Sequence, residues 1–466
     1  MNSSIYNRPF VSWITFVSAM GGLLFGYDWV VIGGAKPFYE RFFAITTNAN
    51  LQGLAMSAAL LGCIAGAIGS GWLSDRFGRK RPLIVSAAIF FLSSLGTGFS
   101  STLSQFVAWR MLGGIGIGLA SSLSPMYIAE ISPATVRGKL VSVNQLTIVV
   151  GILLAQLVNY LIADVVPGGA SDGEILHSWN GQTGWRWMFW ATAFPSLVFL
   201  IVGFTIPESP RWLAKNRFTA RARGVLKQIG GEAYAETAVR EIESTLISAT
   251  PSVDIRSLGQ RGVRPALLIG IVLAVFQQWC GINVIFNYAE EIFTSAGYGV
   301  SDTLFNIVIT GVVNLLSTFI AMNTVDRWGR RGLMLMGSLG LAVIYTLLGG
   351  SYFLELKGFA ILLFVVLGIA TYAMSLAPIT WVILSEIFPN RIRGAAMAVA
   401  TASLWIACFI LTYTFPLLNQ TLHAAGTFWL YAFVCLAGFT FILRKLPETK
   451  GKTLEQVEED LRVTQQ

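Results

Sequence analysis

The sequence predicts an all-α membrane protein, with twelve transmembrane helices in two pseudo-symmetric six-helix bundles, and three observations carry that expectation. Of 466 residues, 54% are hydrophobic and only 12% charged, too few ionisable groups to clothe a soluble body of this size. Apolar stretches of about the 20 residues needed to cross a bilayer recur along the whole chain. The charged punctuation between them also repeats: DRFGRKR at 75–81 returns as DRWGRR at 326–331, and EISPATVRG at 130–138 returns as EIFPNRIRG at 386–394. Both repeats have nearly the same offset, so the duplicated unit is a whole half of the chain.

Taken in order, the apolar stretches fall near 11–35, 51–73, 82–101, 103–129, 139–164, 185–206, 264–294, 302–325, 332–354, 359–385, 393–419 and 425–446. Several exceed the required length and contain Gly or Pro, which predicts tilted and bent helices. The expected organisation is an N-terminal bundle over 1–206, a linker over 207–263, a C-terminal bundle over 264–446 and a tail over 447–466. In the linker, Val239, Ile242 and Leu246 recur at helical spacing among Glu and Arg, the pattern of a short amphipathic helix.

A net charge of +8 could suggest a nucleic-acid partner, but the placement of the basic residues argues otherwise. Of 32 Lys and Arg, 27 fall in the termini and in alternate loops, all on one side; the others are Lys36, Arg41, Arg110, Arg186 and Lys357. The positive-inside rule then puts both termini in the cytoplasm, for a multi-pass protein of the plasma (inner) membrane. The first apolar stretch contains Asp28 and no small-residue cleavage site, so it reads as a retained span. Cys63, Cys280, Cys408 and Cys435 lie in apolar segments, as buried free thiols do. His177 and His423 stand apart without ligand-spaced partners, so no metal and no cofactor is expected. GGIGIG at 113–118 lies inside an apolar helix, where glycines serve close helix packing.

Three groups of residues have chemistry to offer. Asp28 is ionisable in mid-span, and burying it costs roughly 2.5 to 3.5 kcal/mol on insertion scales; Arg110 is the other mid-span charge in this half. An Asp/Arg pair is a proton switch, closed when the carboxylate is ionised and released when it is protonated, although a permanent buried ion pair is the plainer alternative. Gln277, Gln278, Asn283 and Asn287 place four amides in eleven residues of an apolar helix, and amides both donate to and accept from hydroxyls. One straight helix cannot aim all four inward at 100° per residue, so a bend or unwinding is expected at Gly281. Finally, Asp75 and Asp326 open the repeated loops, and Glu130/Arg137 and Glu386/Arg393 flank Pro133 and Pro389. These are candidate ion-pair latches, weak singly and effective when several break together.

The motifs GRK at 78–80, PESPRWL at 207–213, QQWCGIN at 277–283, DRWGRR at 326–331 and PETKGKTLEQ at 447–456 make the chain resemble the sugar porter branch of the major facilitator superfamily, over essentially its full length. Its nearest likeness is to bacterial proton-coupled pentose and hexose symporters. The resemblance implies the major facilitator fold and uptake of a monosaccharide with one proton by alternating access, the site lying at mid-membrane between the halves of a functional monomer; no enzymatic activity is expected. It implies Asp28 as the proton site with Arg110 as modulator. It also implies substrate contacts from Phe25, Gln145, Asn314, Trp381 and Trp405 beside the four amides, with Pro378 as a hinge for a gate. The cytoplasmic gate would be built from Asp75, Arg79, Glu130, Arg137, Glu208, Arg211, Asp326, Arg330, Glu386 and Arg393. A facilitative uniporter shares the binding features, and another polyol such as inositol is an alternative cargo. Two departures bear on the cargo: Asn287 and Tyr288 stand where relatives often carry a Tyr pair, and Leu404 and Cys408 where many carry amides.

Overall fold

The computed structural model describes residues 6–133, 135–167, 169–248, 264–388 and 393–449, with side chains at all of these except 245–248, 323–327, 385 and 393–394. The expected side chains of Asp326 and Arg393 therefore lie outside the described residues.

The chain is a succession of long apolar helices. In the first half these are α1 (Arg8–Phe42), α2 (Ala49–Phe77), α3 (Lys80–Phe99), α4 (Leu103–Ile131) and α5 (Arg137–Ile162). A short α6 (Asp172–His177) then leads into a π-helical turn (Asn180–Gly184) continued by α7 (Trp185–Ala191) and α8 (Ala193–Gly203). The hydrophilic linker carries α9 (Pro210–Lys215) and α10 (Thr219–Ser248), the latter bent at Gly231. The second half comprises α11 (Arg264–Trp279), α12 (Ile282–Asn287), α13 (Ala289–Ser295), α14 (Val300–Trp328), α15 (Arg330–Phe353), α16 (Phe359–Met374), α17 (Leu376–Ile387) and α18 (Arg393–Lys445).

Among the described residues, eleven helical runs are long and apolar enough to cross a membrane. The last spans 53 residues, about 80 Å if straight at 1.5 Å per residue, far more than one bilayer thickness. It is broken at His423, whose φ of 57° and ψ of 176° leave the helical region, so α18 supplies two crossings and the total is twelve. The fold is the all-helical membrane architecture the sequence predicts.

By contacts the chain divides into two compact units, one comprising 1–29, 61–155 and 186–251, the other 30–60, 156–185 and 252–466. This division cuts through α1, α2 and α5, and its last boundary, between 251 and 252, falls within the linker. In the first unit, α4 uses its glycines to approach α2: a Cβ on Gly118 would lie 2.4 Å from the carbonyl oxygen of Cys63, so only Gly permits that approach. In the second unit, the later part of α1 and the end of α5 are tied together by Asn159 Nδ2 donating to the Val31 carbonyl at 2.9 Å. The end of α5 runs along α14, with Tyr160 and Phe305 ring centroids 5.8 Å apart and the Val166 N–H donating to Ser301 Oγ at 2.9 Å. The linker helices close on a small cluster of Leu213, Ala214 and Ala222, against which Trp212, Val225 and Ile242 pack.

Candidate functional site

In the first unit, α1 and α4 bring Asp28 and Arg110 together although 82 residues separate them. Both are buried, at 3% exposure each. Arg110 Nη1 donates to Asp28 Oδ1 at 2.8 Å and Nη2 to the Asp28 carbonyl at 3.2 Å, so one guanidinium grips both side chain and backbone. The guanidinium also stands 5.5 Å from the centroid of Phe189, a favourable position over a π face. Asp28 Oδ2 is buried and has no hydrogen-bond partner among the described residues. Phe25 sits one turn before, half-buried, its ring edge-on to Trp29 at 5.8 Å. Gln145 is half-buried on α5.

In the second unit, the seventh apolar stretch breaks where Gly281 was expected to bend it. α11 ends at Trp279, Gly281 adopts φ +89°, and α12 restarts at Ile282. A second break at Tyr288 (φ −119°, ψ 26°) sets off α13. The amides form a chain across the first break: Gln277 Nε2 donates to the Tyr372 hydroxyl at 2.7 Å, and Gln278 Nε2 to Gln277 Oε1 at 2.5 Å. Asn283 Nδ2 completes it, donating to Gln278 Oε1 and to Cys408 Sγ at 3.6 Å. Tyr372 on α16 and Cys408 on α18 are thus its two ends. Buried amides must be satisfied, and here each hydrogen-bonds the next. Asn287, buried, keeps its Oδ1 without a partner among the described residues.

Asn314 is buried on α14, Trp405 is buried on α18, and Trp381 on α17 is 37% exposed. Asn314, Trp381 and Asn287 stand outside the amide chain. The helix break expected at Pro378 lies three residues earlier: Ser375 (φ −129°, ψ −87°) separates α16 from α17. Pro378 then sits in the first turn of α17, where a missing N–H costs nothing because that turn's donors have no intrahelical acceptor.

The repeated charged loops build the same cluster twice, once in each unit. In the first, Arg79 Nη2 donates to Glu130 Oε1 at 2.8 Å, and the Ser209 hydroxyl donates to the other Glu130 oxygen. Glu208 Oε1 accepts from the N–H groups of Arg79 at 2.8 Å and of Ser209 at 2.8 Å, and also from Lys80. In the second, Arg330 lies 3.3 Å from Glu386, Thr449 Oγ1 donates to Glu386 Oε2 at 2.6 Å, and Glu448 accepts from the N–H groups of Arg330, Arg331 and Thr449 at 3.0, 3.1 and 3.0 Å. A carboxylate on the first N–H groups of α3 and of α15 satisfies donors that a helix start leaves bare and complements its dipole.

The pairing differs from the sequence expectation. Glu130 takes Arg79 as partner, not Arg137, which is exposed, as is Arg211. Glu386 lies beside Arg330, and its expected partner Arg393 falls outside the described side chains. Asp75 forms an exposed pair with Lys215 at 3.1 Å. The reason is geometric: Arg137 opens α5 at an exposed position, while the loop arginine four residues after the Asp is held against Glu130. Ser209, Thr449 and Glu448 join these clusters without being among the expected residues, and their signal in the sequence is that PES at 207–209 and PET at 447–449 are the same three-residue device.

Comparison with known proteins agrees with this architecture. The family described as sugar (and other) transporters is matched over residues 14–461. The chain is 40% identical to the D-xylose-proton symporter of Escherichia coli, covering 97% of this chain and 96% of the relative. It is likewise 40% identical to the glucose transport protein of Synechocystis, with 98% of each covered. Among solved structures, the E. coli xylose transporter in a partially occluded inward-open conformation superposes with a TM-score of 0.84 at 38% identity, covering 96% of this chain and 100% of that one. A match spanning nearly the whole chain shows that this protein belongs to the sugar (and other) transporter family.

Proposed function

We propose that the protein carries a monosaccharide, a pentose or hexose, across the plasma (inner) membrane together with a proton, by alternating access and as a monomer with both termini cytoplasmic. The buried Asp28–Arg110 pair carries the coupling part of this reading. With Asp28 ionised, Arg110 holds α1 to α4 through two hydrogen bonds; a proton on Oδ2 weakens the ion pair and frees the two helices to shift. The proton thus biases conformation without touching the sugar. Gln277, Gln278 and Asn283 exchange their mutual hydrogen bonds for sugar hydroxyls, and Asn287 offers its bare oxygen to one more. Gln145, Asn314, Phe25, Trp381 and Trp405 complete the proposed substrate contacts, the rings covering apolar faces of the sugar. The halves 1–206 and 264–446 suggested by the repeat, joined by 207–263, are the proposed moving bodies. The Arg79/Glu130/Glu208 and Arg330/Glu386/Glu448 clusters act as its latches, with Asp75, Arg137, Arg211, Asp326 and Arg393 as further charges of that gate.

The relatives' names support the class: one is a xylose-proton symporter and another a glucose transport protein. Proteoliposomes test the coupling. Asp28→Asn is expected to abolish proton-driven accumulation while preserving sugar counterflow. Uphill uptake surviving that change would refute the assignment of Asp28.

A further inference from the structure

Away from the site just described, the second unit contains a buried charge cluster that the proposed function does not use. Lys36 of α1 is 1% exposed. Its ammonium is surrounded by three carboxylates: Glu40 Oε2 at 3.0 Å, Glu290 Oε2 at 3.5 Å, and Glu291 Oε1 in direct contact. Side-chain exposures of 6%, 13% and 22% for Glu40, Glu290 and Glu291 leave water little part in neutralising them.

The surrounding groups do not balance the charge. Gln52 Nε2 donates to Glu40 Oε2 at 3.1 Å but is neutral. The Tyr288 ring lies 5.8 Å from the ammonium, and Tyr39 is a second neutral phenol nearby. Arg41, next in sequence to Glu40, is committed elsewhere, to Asp172 Oδ1 at 2.8 Å and the Pro37 carbonyl at 2.5 Å. Three carboxylates against one ammonium would therefore leave two uncompensated charges in a largely dry place. Glu40 Oε1 and Glu291 Oε2 are also buried without hydrogen-bond partners among the described residues, acceptors that water would satisfy if the cluster were apart and that a proton satisfies when it is closed. Carboxyls forced to share one site cannot all ionise, and their protons belong to the group rather than to one residue.

We propose that Lys36, Glu40, Glu290 and Glu291 form a second proton-binding site, which takes up at least one proton when the end of α1 closes on α13 and releases it when they part. The transfer is simple: a proton from solution bonds to one carboxylate oxygen as the cluster closes, and returns to water on opening. The parts are built to separate. α13 is a helix of its own, set off from α11 by the breaks at Gly281 and Tyr288, and α1 carries Pro37 one residue beyond Lys36. The sign follows from linkage. The closed cluster binds more protons than separated side chains with ordinary carboxylate values, so closure is favoured at low pH and lost as pH rises through the closed cluster's own value.

Distance measurement by double electron–electron resonance, on the full chain in lipid nanodiscs, tests this. Thr47 and Thr294 are exposed and flank the cluster, whereas Cys63, Cys280, Cys408 and Cys435 are buried; spin labels on Thr47→Cys and Thr294→Cys report the separation. The ratio of short to long distances is expected to fall with rising pH, each bound proton contributing tenfold per pH unit. Asp28 can contribute its own slope, so differences between variants are what is read. At least one of Glu40→Gln, Glu290→Gln and Glu291→Gln should lower the slope by one proton and hold the short distance at high pH. Lys36→Gln should do the opposite, moving loss of the short distance to lower pH, which simple damage to packing would not do. A ratio independent of pH, or an unchanged slope in all three Gln variants, would overturn the proposal.

Discussion

At the scale of single residues, the amide chain shows what a local pattern can and cannot reveal. Four amides crowded into an apolar helix were conspicuous because hydrophobic neighbours such as Phe276 and Ile282 leave them no reason to be there except a partner. Their order along the hydrogen-bond chain was not legible, because it depends on Tyr372 and Cys408 from helices about 100 residues away, and register between distant helices leaves no local signature. Cys408, which looks from sequence like a lost polar partner, is an acceptor for Asn283. Gln278 is the middle link, accepting from Asn283 and donating to Gln277. Gln278→Ala strips an acceptor from one neighbour and a donor from the other, each orphan costing about 1 to 3 kcal/mol when buried. Sugar KM in counterflow is expected to rise by tenfold or more; a KM within twofold of the native value would remove Gln278 from the binding surface.

At the scale of elements, the broken helix is the feature sequence reading located best. A requirement to aim amides on opposite faces, with one Gly between them, was enough to place the break at Gly281. The break before Pro378 was displaced to Ser375 for a reason equally physical: a proline is comfortable in a helix's first turn, so it marks where α17 begins rather than where a helix is interrupted. Gly281 is doubly constrained, by φ +89° and by the Tyr431 ring, whose nearest atom would lie 2.8 Å from an added Cβ. Gly281→Ala therefore incurs about 1 to 2 kcal/mol for the left-handed backbone, plus displacement of an aromatic ring. A lower thermal-unfolding midpoint together with weakened sugar binding is expected. A midpoint equal to the native one would mean that the segment relaxes to a continuous helix at no cost, and that the break does not need glycine.

At the scale of the whole molecule, the duplication visible in the charged loops proves to be a duplication of a complete device, whose members lie far apart in each half: a loop Arg under a helix-end Glu, a hydroxyl on that same Glu, and a Pro-Glu carboxylate capping the next helix. The single-copy features are asymmetric, since the Asp28–Arg110 pair lies in one unit and the amide chain and the Lys36 cluster lie in the other. Repeats preserve what both halves must do, and single copies mark what only one does. Taken as independent devices, Arg79/Glu130 and Arg330/Glu386 should make additive contributions, to within about 0.5 kcal/mol. Glu130→Gln and Glu386→Gln each leave an Arg short of its counter-charge, and hydrogen bonds to charged groups contribute about 1.5 to 3 kcal/mol. Thermal-unfolding midpoints of the two single variants and the double variant should therefore fall in proportion, the double by the sum of the singles. A double variant no less stable than the weaker single would show instead that the two clusters open as one, so that breaking either already forfeits the contribution of both.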